Sequence, residues 1–182
     1  MVKGQSAQRF RKAGRADLDA ILAIFARARK LMAANGNPMQ WGTSWPPVEL
    51  LEQDIDRSRA WLLVDDDGEG GAERILAYFA LCEGAEPTYA KIDGHWLDDD
   101  EYVTMHRLAA SGLRPHIAKT CLDWAVARCG NLRCDTHPAN AAMRHIFTTD
   151  GFTYCGLIKV VNNVTVEPDT RVAYQRHELA GA

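Results

Sequence analysis

His106 sits in the stretch Tyr102–Lys119, YVTMHRLAASGLRPHIAK, where residue types and their order could do chemistry. A strand of about eight residues runs into a short loop with one Gly and one Pro, and a helix opens near Ile117. Alternation places Tyr102, Thr104, His106 and Leu108 on one face of the strand. An imidazole there suits proton transfer at neutral pH. The first N–H groups of the helix have no intrahelical partners and stand at the positive end of its dipole, so the junction is a natural anion site.

Other clusters offer competing chemistry. His137, beside Asp135 at the end of a neighbouring strand, is a second candidate base. Cys129, Cys134 and His137 lack a standard zinc spacing, so no metal is expected. Asp65-Asp66-Asp67 opens a glycine-rich stretch and reads as a solvated turn between two strands. The loop Met39–Pro47 carries Trp41 and Trp45 and reads either as a surface loop pinned by its aromatics or as a pocket wall. Residues 83–100, with Tyr89 and Trp96, form a long connection, and with Trp41 they are the candidates for substrate recognition.

The elements that must hold these residues follow from periodicity. Arg9–Lys12 reads as a first strand, and Leu18, Ile21, Leu22, Phe25 and Met32 keep helical spacing up to Asn35-Gly36. A second helix is expected over Pro47–Ser58, then strands at Trp61–Val64 and Ile75–Leu81. After the central strand, Ile117, Cys121, Trp124 and Arg128 share a helical face that Leu122 and Ala125 widen. Asn131–Thr136 reads as a strand, Pro138–Asp150 as a helix capped by Gly151, and Phe152–Val161 and Thr170–His177 as two final antiparallel strands. The order predicts one α+β or mixed α/β domain over residues 1–182 with a central sheet and a loose segment at 1–8.

Charge and composition narrow the class. With 21 Lys+Arg against 24 Asp+Glu, the net charge of −3 gives no general pull toward nucleic acid or an anionic membrane. The apolar run Ala20–Ala26 is too short to span a bilayer, and the first residues lack the apolar core of a signal peptide, so a cytoplasmic location is expected. Five scattered cysteines without a CxxC pair fit reduced, core-filling thiols.

The second half resembles the GNAT-type, acetyl-CoA-dependent N-acetyltransferases. The likeness runs through the strand His106–Ala110, the loop to Ile117-Ala118-Lys119, the strand Leu132–Thr136 and the run Asn140–Phe152. It implies a mixed, mostly antiparallel sheet of about seven strands flanked by about four helices. It also implies acetyl-CoA as co-substrate, its pantetheine arm bonded to an unpaired edge of the central strand at Leu108, Ala109 and Ala110. Leu113, Arg114, His116, Ile117, Ala118 and Lys119 would form the pyrophosphate loop, with Asn140 and Phe147 also against the coenzyme.

The reaction implied is direct attack of a primary amine, on a small molecule or a peptide, upon the thioester. His106 is the first choice of base and His137 the second, with Glu101 and Tyr102 in reserve. The family's usual loop, Gln/Arg-x-x-Gly-x-Gly/Ala, falls on Leu113, His116 and Ala118, so two positions depart from it, and Pro115 removes one N–H donor. Phe147 stands where many members have a Tyr that protonates the leaving thiolate, so the thiolate leaves unaided or Tyr154 or Cys155 substitutes. A GNAT-like ligand-binding or sensor protein without efficient turnover is the alternative. The final strand, if exposed, would offer a homodimer edge.

Overall fold

Trp61–Val64 and Ile75–Leu81 become strands covered on both faces, which is why their apolar residues run nearly continuously rather than alternating. A computed structural model describes residues 7–161 and 168–178. The expectation for residues 1–6 and the link between the last two strands, residues 162–167, lie outside the described residues. No helix among those described is long and apolar enough to cross a membrane.

The elements are β1 (Arg9–Lys12), α1 (Leu18–Ala34), α2 (Val48–Asp56), β2 (Ala60–Asp65), β3 (Arg74–Glu83), β4 (Ile92–Gly94), β5 (Val103–Ala110), α3 (Ile117–Cys129), β6 (Asn131–Thr136), α4 (Ala141–Thr149), β7 (Thr153–Val160) and β8 (Asp169–His177). They form one sheet in the order β1-β2-β3-β5-β6-β8-β7-β4. Every pairing is antiparallel except β5–β6. The expected mixed α/β class holds, with eight strands in place of seven.

Helices α1 and α2 cover one face, where Ile21, Phe25 and Leu51 pack with Leu62, Val64 and Tyr78. Helices α3 and α4 cover the other, where Cys121, Leu122, Ala125 and Phe147 meet Leu63, Phe79, Met105 and Leu132. Burying a side chain of this size stabilises by about 1.5–3 kcal/mol, so the two layers fix the sheet firmly. Buried Asp54 of α2 ties its layer to the sheet. It accepts the Tyr78 hydroxyl proton at 2.8 Å and a two-pronged bond from Arg107 at 2.9 Å on each arm.

Four expectations need correction. The connection 83–100 contains β4, paired with β7 at Ile92–Ile158 and Gly94–Gly156. Glycine is needed on both sides of that last pair, because a Cβ at Gly94 would lie 2.1 Å from the Cys155 carbonyl oxygen and one at Gly156 would lie 2.2 Å from that of Asp93. Helix α4 starts at Ala141, three residues after Pro138, since Asn140 caps it by accepting the Met143 N–H. Arg128 lies beside Trp124 as its helical spacing predicts, its exposed guanidinium 5.1 Å and 5.6 Å from the rings of Trp61 and Trp124.

Asp65 is fully buried rather than solvated. It is held by Arg74 and by Arg114, whose Nε lies 2.7 Å away. Finally, β8 is interior, between β6 and β7, so it offers no edge for a dimer.

Candidate functional site

Strand β5 pairs with β6 only at Val103–Leu132 and Thr104–Arg133, and beyond these residues the two part. The cause lies in β5. Between the pairs Ala80–His106 and Tyr78–Ala109 it carries one residue more than β3 does, and Arg107 takes a φ of +58°. Such a bulge bends the strand and twists it away from its neighbour. It also ends the alternation, so Leu108 packs on the α3 side while Arg107 reaches Asp54 of α2. The sequence expectation that Leu108 shares a face with His106 therefore fails at that residue.

The gap opens a cleft of about 660 Å³. Its floor includes Met105–Ala110 of β5 and Cys134–Thr136 of β6, whose backbone edges here pair with β3 and β8 alone. On one side stand α1, Trp41 and Trp45, and on the other Asn140, Met143 and Phe147.

A carboxylate and an imidazole meet in the cleft lining. His106 Nε2 lies 3.1 Å from Glu86 Oε2. Glu86 is held in place by the short helical turn Pro87–Tyr89, its other oxygen accepting the Thr88 N–H at 3.2 Å and the Thr88 hydroxyl at 2.9 Å. The bond with His106, working against burial, holds the Glu86 carboxyl down to about 2. It is a carboxylate at any working pH. The same turn carries Tyr89, whose ring centroid lies 6.3 Å from that of His106 and whose hydroxyl donates to Asp135 at 2.7 Å, and burial pushes that phenol well above its ordinary range.

The other expected site residues fall into groups. Leu108, Ala109, Ala110, Asn140, Phe147 and Trp41 line the cleft with His106. Asn140 is engaged at both ends of its amide, since its Oδ1 caps α4 and its Nδ2 donates to Gln40 at 3.0 Å. Leu113, Arg114, His116, Ile117, Ala118 and Lys119 form the loop and first turn of α3 just past β5. His116 takes a φ of +60°, the left-handed conformation that the family's glycine would adopt freely, so the loop keeps that backbone turn at a penalty of roughly 1 kcal/mol. Arg114 is bound to Asp65 and Asp67, and Lys119 to Asp123 and Asp150.

His137, Tyr154, Tyr89 and Trp96 are not in the cleft lining. His137 Nδ1 accepts the Ala139 N–H, and burial lowers its pKa against the pull of Asp169. Tyr154 is half exposed, against Tyr174. Trp96 donates to the Tyr89 carbonyl and stacks on Arg133.

Sequence reasoning missed Glu86, Gln40, Asn37 and Arg27, all of which line the cleft. For Glu86 a signal existed: Glu-Pro-Thr is an acidic cap followed by a proline in the first position of a helical turn.

No protein-family model matches the sequence, and no curated protein does. Solved structures do. An acetyltransferase of the GNAT family from Streptococcus agalactiae is 29% identical over 94% of this chain and 96% of its own, with a TM-score of 0.80. One from Listeria monocytogenes is 17% identical over 97% and 98% with a TM-score of 0.66. A GNAT superfamily phosphinothricin acetyltransferase from Sinorhizobium meliloti, in complex with AcCoA, is 16% identical over 96% and 90% with a TM-score of 0.61. The splayed β5–β6 pair and the similarity to the streptococcal protein along almost all of both chains agree: this chain has the fold of the GNAT acetyltransferases and resembles that family along almost its whole length.

Proposed function

We propose that the protein moves an acetyl group from acetyl-CoA to a primary amine of a small molecule or peptide, by direct attack in a ternary complex. The observation that carries this reading is the Glu86–His106 pair lining a cleft floored by unpaired strand backbone. The free edge of β5 can bond an extended pantetheine as an added strand, which brings the thioester to His106. With Nε2 turned to Glu86, Nδ1 of His106 takes the proton from the attacking amine. The new C–N bond forms as the C–S bond breaks.

Phe147 cannot protonate the departing sulfur, and among the described residues no tyrosine lines the cleft. The sulfur therefore leaves as a thiolate and is protonated by solvent. Acetyl-CoA bound by the Sinorhizobium meliloti neighbour supports the choice of donor. The test is to incubate purified protein and acetyl-CoA with a broad panel of primary amines and follow CoA release with a thiol reagent. Release above the rate of thioester hydrolysis with at least one amine is expected, and none with any amine overturns the reading. Phe147 favours a second reading, ligand binding without turnover, which a measurable rate would remove.

A further inference from the structure

One cation in the cleft has nothing to hold. Arg107 is paired with Asp54, Arg171 with Asp169 at 2.7 Å, and the loop cations Arg114 and Lys119 with carboxylates of their own. Arg27, on the exposed side of α1 and lining the cleft, has no hydrogen bond or ion pair among the described residues. Its guanidinium nevertheless has a seat. Gly112, at a φ of +76°, leaves bare backbone there, and a Cβ at that position would lie 2.1 Å from Arg27 Cζ. A side chain at that position would push the guanidinium off this seat, and the φ of +76° itself favours glycine.

The position of that seat decides the ligand class. From His106 to Gly112 the chain runs roughly 16 Å at about 3.3 Å per strand residue, with one residue absorbed by the bulge. A small amine reacting at His106 does not extend so far, whereas an extended pantetheine lying along β5 carries its diphosphate to that end. The loop itself is short of donors there, because Pro115 has no N–H and Arg114 and Lys119 are engaged internally.

We propose that Arg27, reaching from α1 across Gly112, is a ligand of the coenzyme's diphosphate and supplies the charge that the Leu113–Lys119 loop lacks. The assignment rests on the acetyl-CoA reading above. A planar guanidinium suits two-pronged bonding to phosphate oxygens.

Direct calorimetry of CoA binding tests it without any need for an acceptor. A charged hydrogen bond of this kind corresponds to about a tenfold to hundredfold change in affinity. Arg27→Ala should weaken CoA and 3′-dephospho-CoA by such a factor and leave pantetheine, which has no phosphate, within about twofold. Arg27→Lys should fall between the two. Equal losses with pantetheine, or no loss with CoA, overturn the role of Arg27. A loss that vanishes with 3′-dephospho-CoA overturns the assignment to the diphosphate. If the unaltered protein does not bind CoA at all, it is the acetyl-CoA reading that falls.

Discussion

The two ends of β5 solve opposite problems. At its start, Val103 and Thr104 are bonded on both edges, and the side chain that matters, His106, is fixed by a carboxylate brought from a distant turn. At its finish the strand has lost one neighbour, and the loop beyond it has committed its cations inward to Asp65, Asp67 and Asp150. The first end holds an imidazole rigidly against a carboxylate, the second leaves backbone free. The bulge at Arg107 separates them, and buried Asp54 holds that bulge in place. A single extra residue thus makes one strand serve as both a platform and an open edge.

The largest effect expected from breaking this contrast lies at the first end. His106→Ala should lower kcat by about a hundredfold to ten-thousandfold, the usual share of a positioned base, with affinity for acetyl-CoA within about twofold. Glu86→Gln keeps the shape and removes the charge that steadies the imidazole, and about a tenfold loss of kcat is expected. Steady-state kinetics with a responsive amine measures both. If either variant changed KM for acetyl-CoA instead of kcat, the division of labour along β5 would be wrong.

A smaller effect belongs to the far end, and it is one of stability. Asp65 is fully buried between Arg74 and Arg114, and the Arg74 bond, acting against burial, lowers its carboxyl to about 2 from an ordinary 3.8. A folded value below the unfolded one means that the stabilisation is fully present above about 4 and is lost as the pH falls through about 2. Removing one partner of a buried pair costs about 3–5 kcal/mol, and partial exposure of both arginines here reduces that to roughly 2 kcal/mol. Asp65→Asn should therefore unfold at lower denaturant than the unaltered protein at pH 7, and the gap should narrow as the pH is lowered from about 4 to about 2. A gap that stays constant over that range would mean the carboxylate charge contributes nothing.

Much of this was legible in the chain. Helix α1 and strands β2, β3 and β6 were readable because each buries a periodic or continuous apolar pattern. The order of elements around His106 and Asn140 was enough to suggest the family. What escaped was whatever depends on residues distant in sequence. Glu86 reaches His106 across 20 residues, and Asp65 reaches Arg114 across 49. Asp65 was misread for a physical reason: three successive aspartates before glycines look solvated unless arginines from elsewhere are known to cover one of them. Arg107 was invisible as a bulge, because nothing in the residue type announces a positive φ. Strand β4 is only three residues long and was hidden in its connection.

The smallest expected effect is the most telling for the loop. Arg114 occupies the position from which a sequence reader would have it grip phosphate, yet its guanidinium is spent on Asp65 and Asp67. To reach a coenzyme it would have to leave the fully buried Asp65 to Arg74 alone, and losing one of two partners of a buried carboxylate is a cost that one exposed phosphate contact does not offset. Arg114→Ala should therefore raise KM for acetyl-CoA by less than about threefold, well below the tenfold or more expected at Arg27, while lowering stability by roughly 1 kcal/mol through the lost partner of Asp65. Kinetics and denaturant unfolding on the same preparation separate the two roles. A large rise in KM at unchanged stability would show that Arg114 swings outward when coenzyme binds, and the far end of β5 would then be a switch rather than a fixed frame.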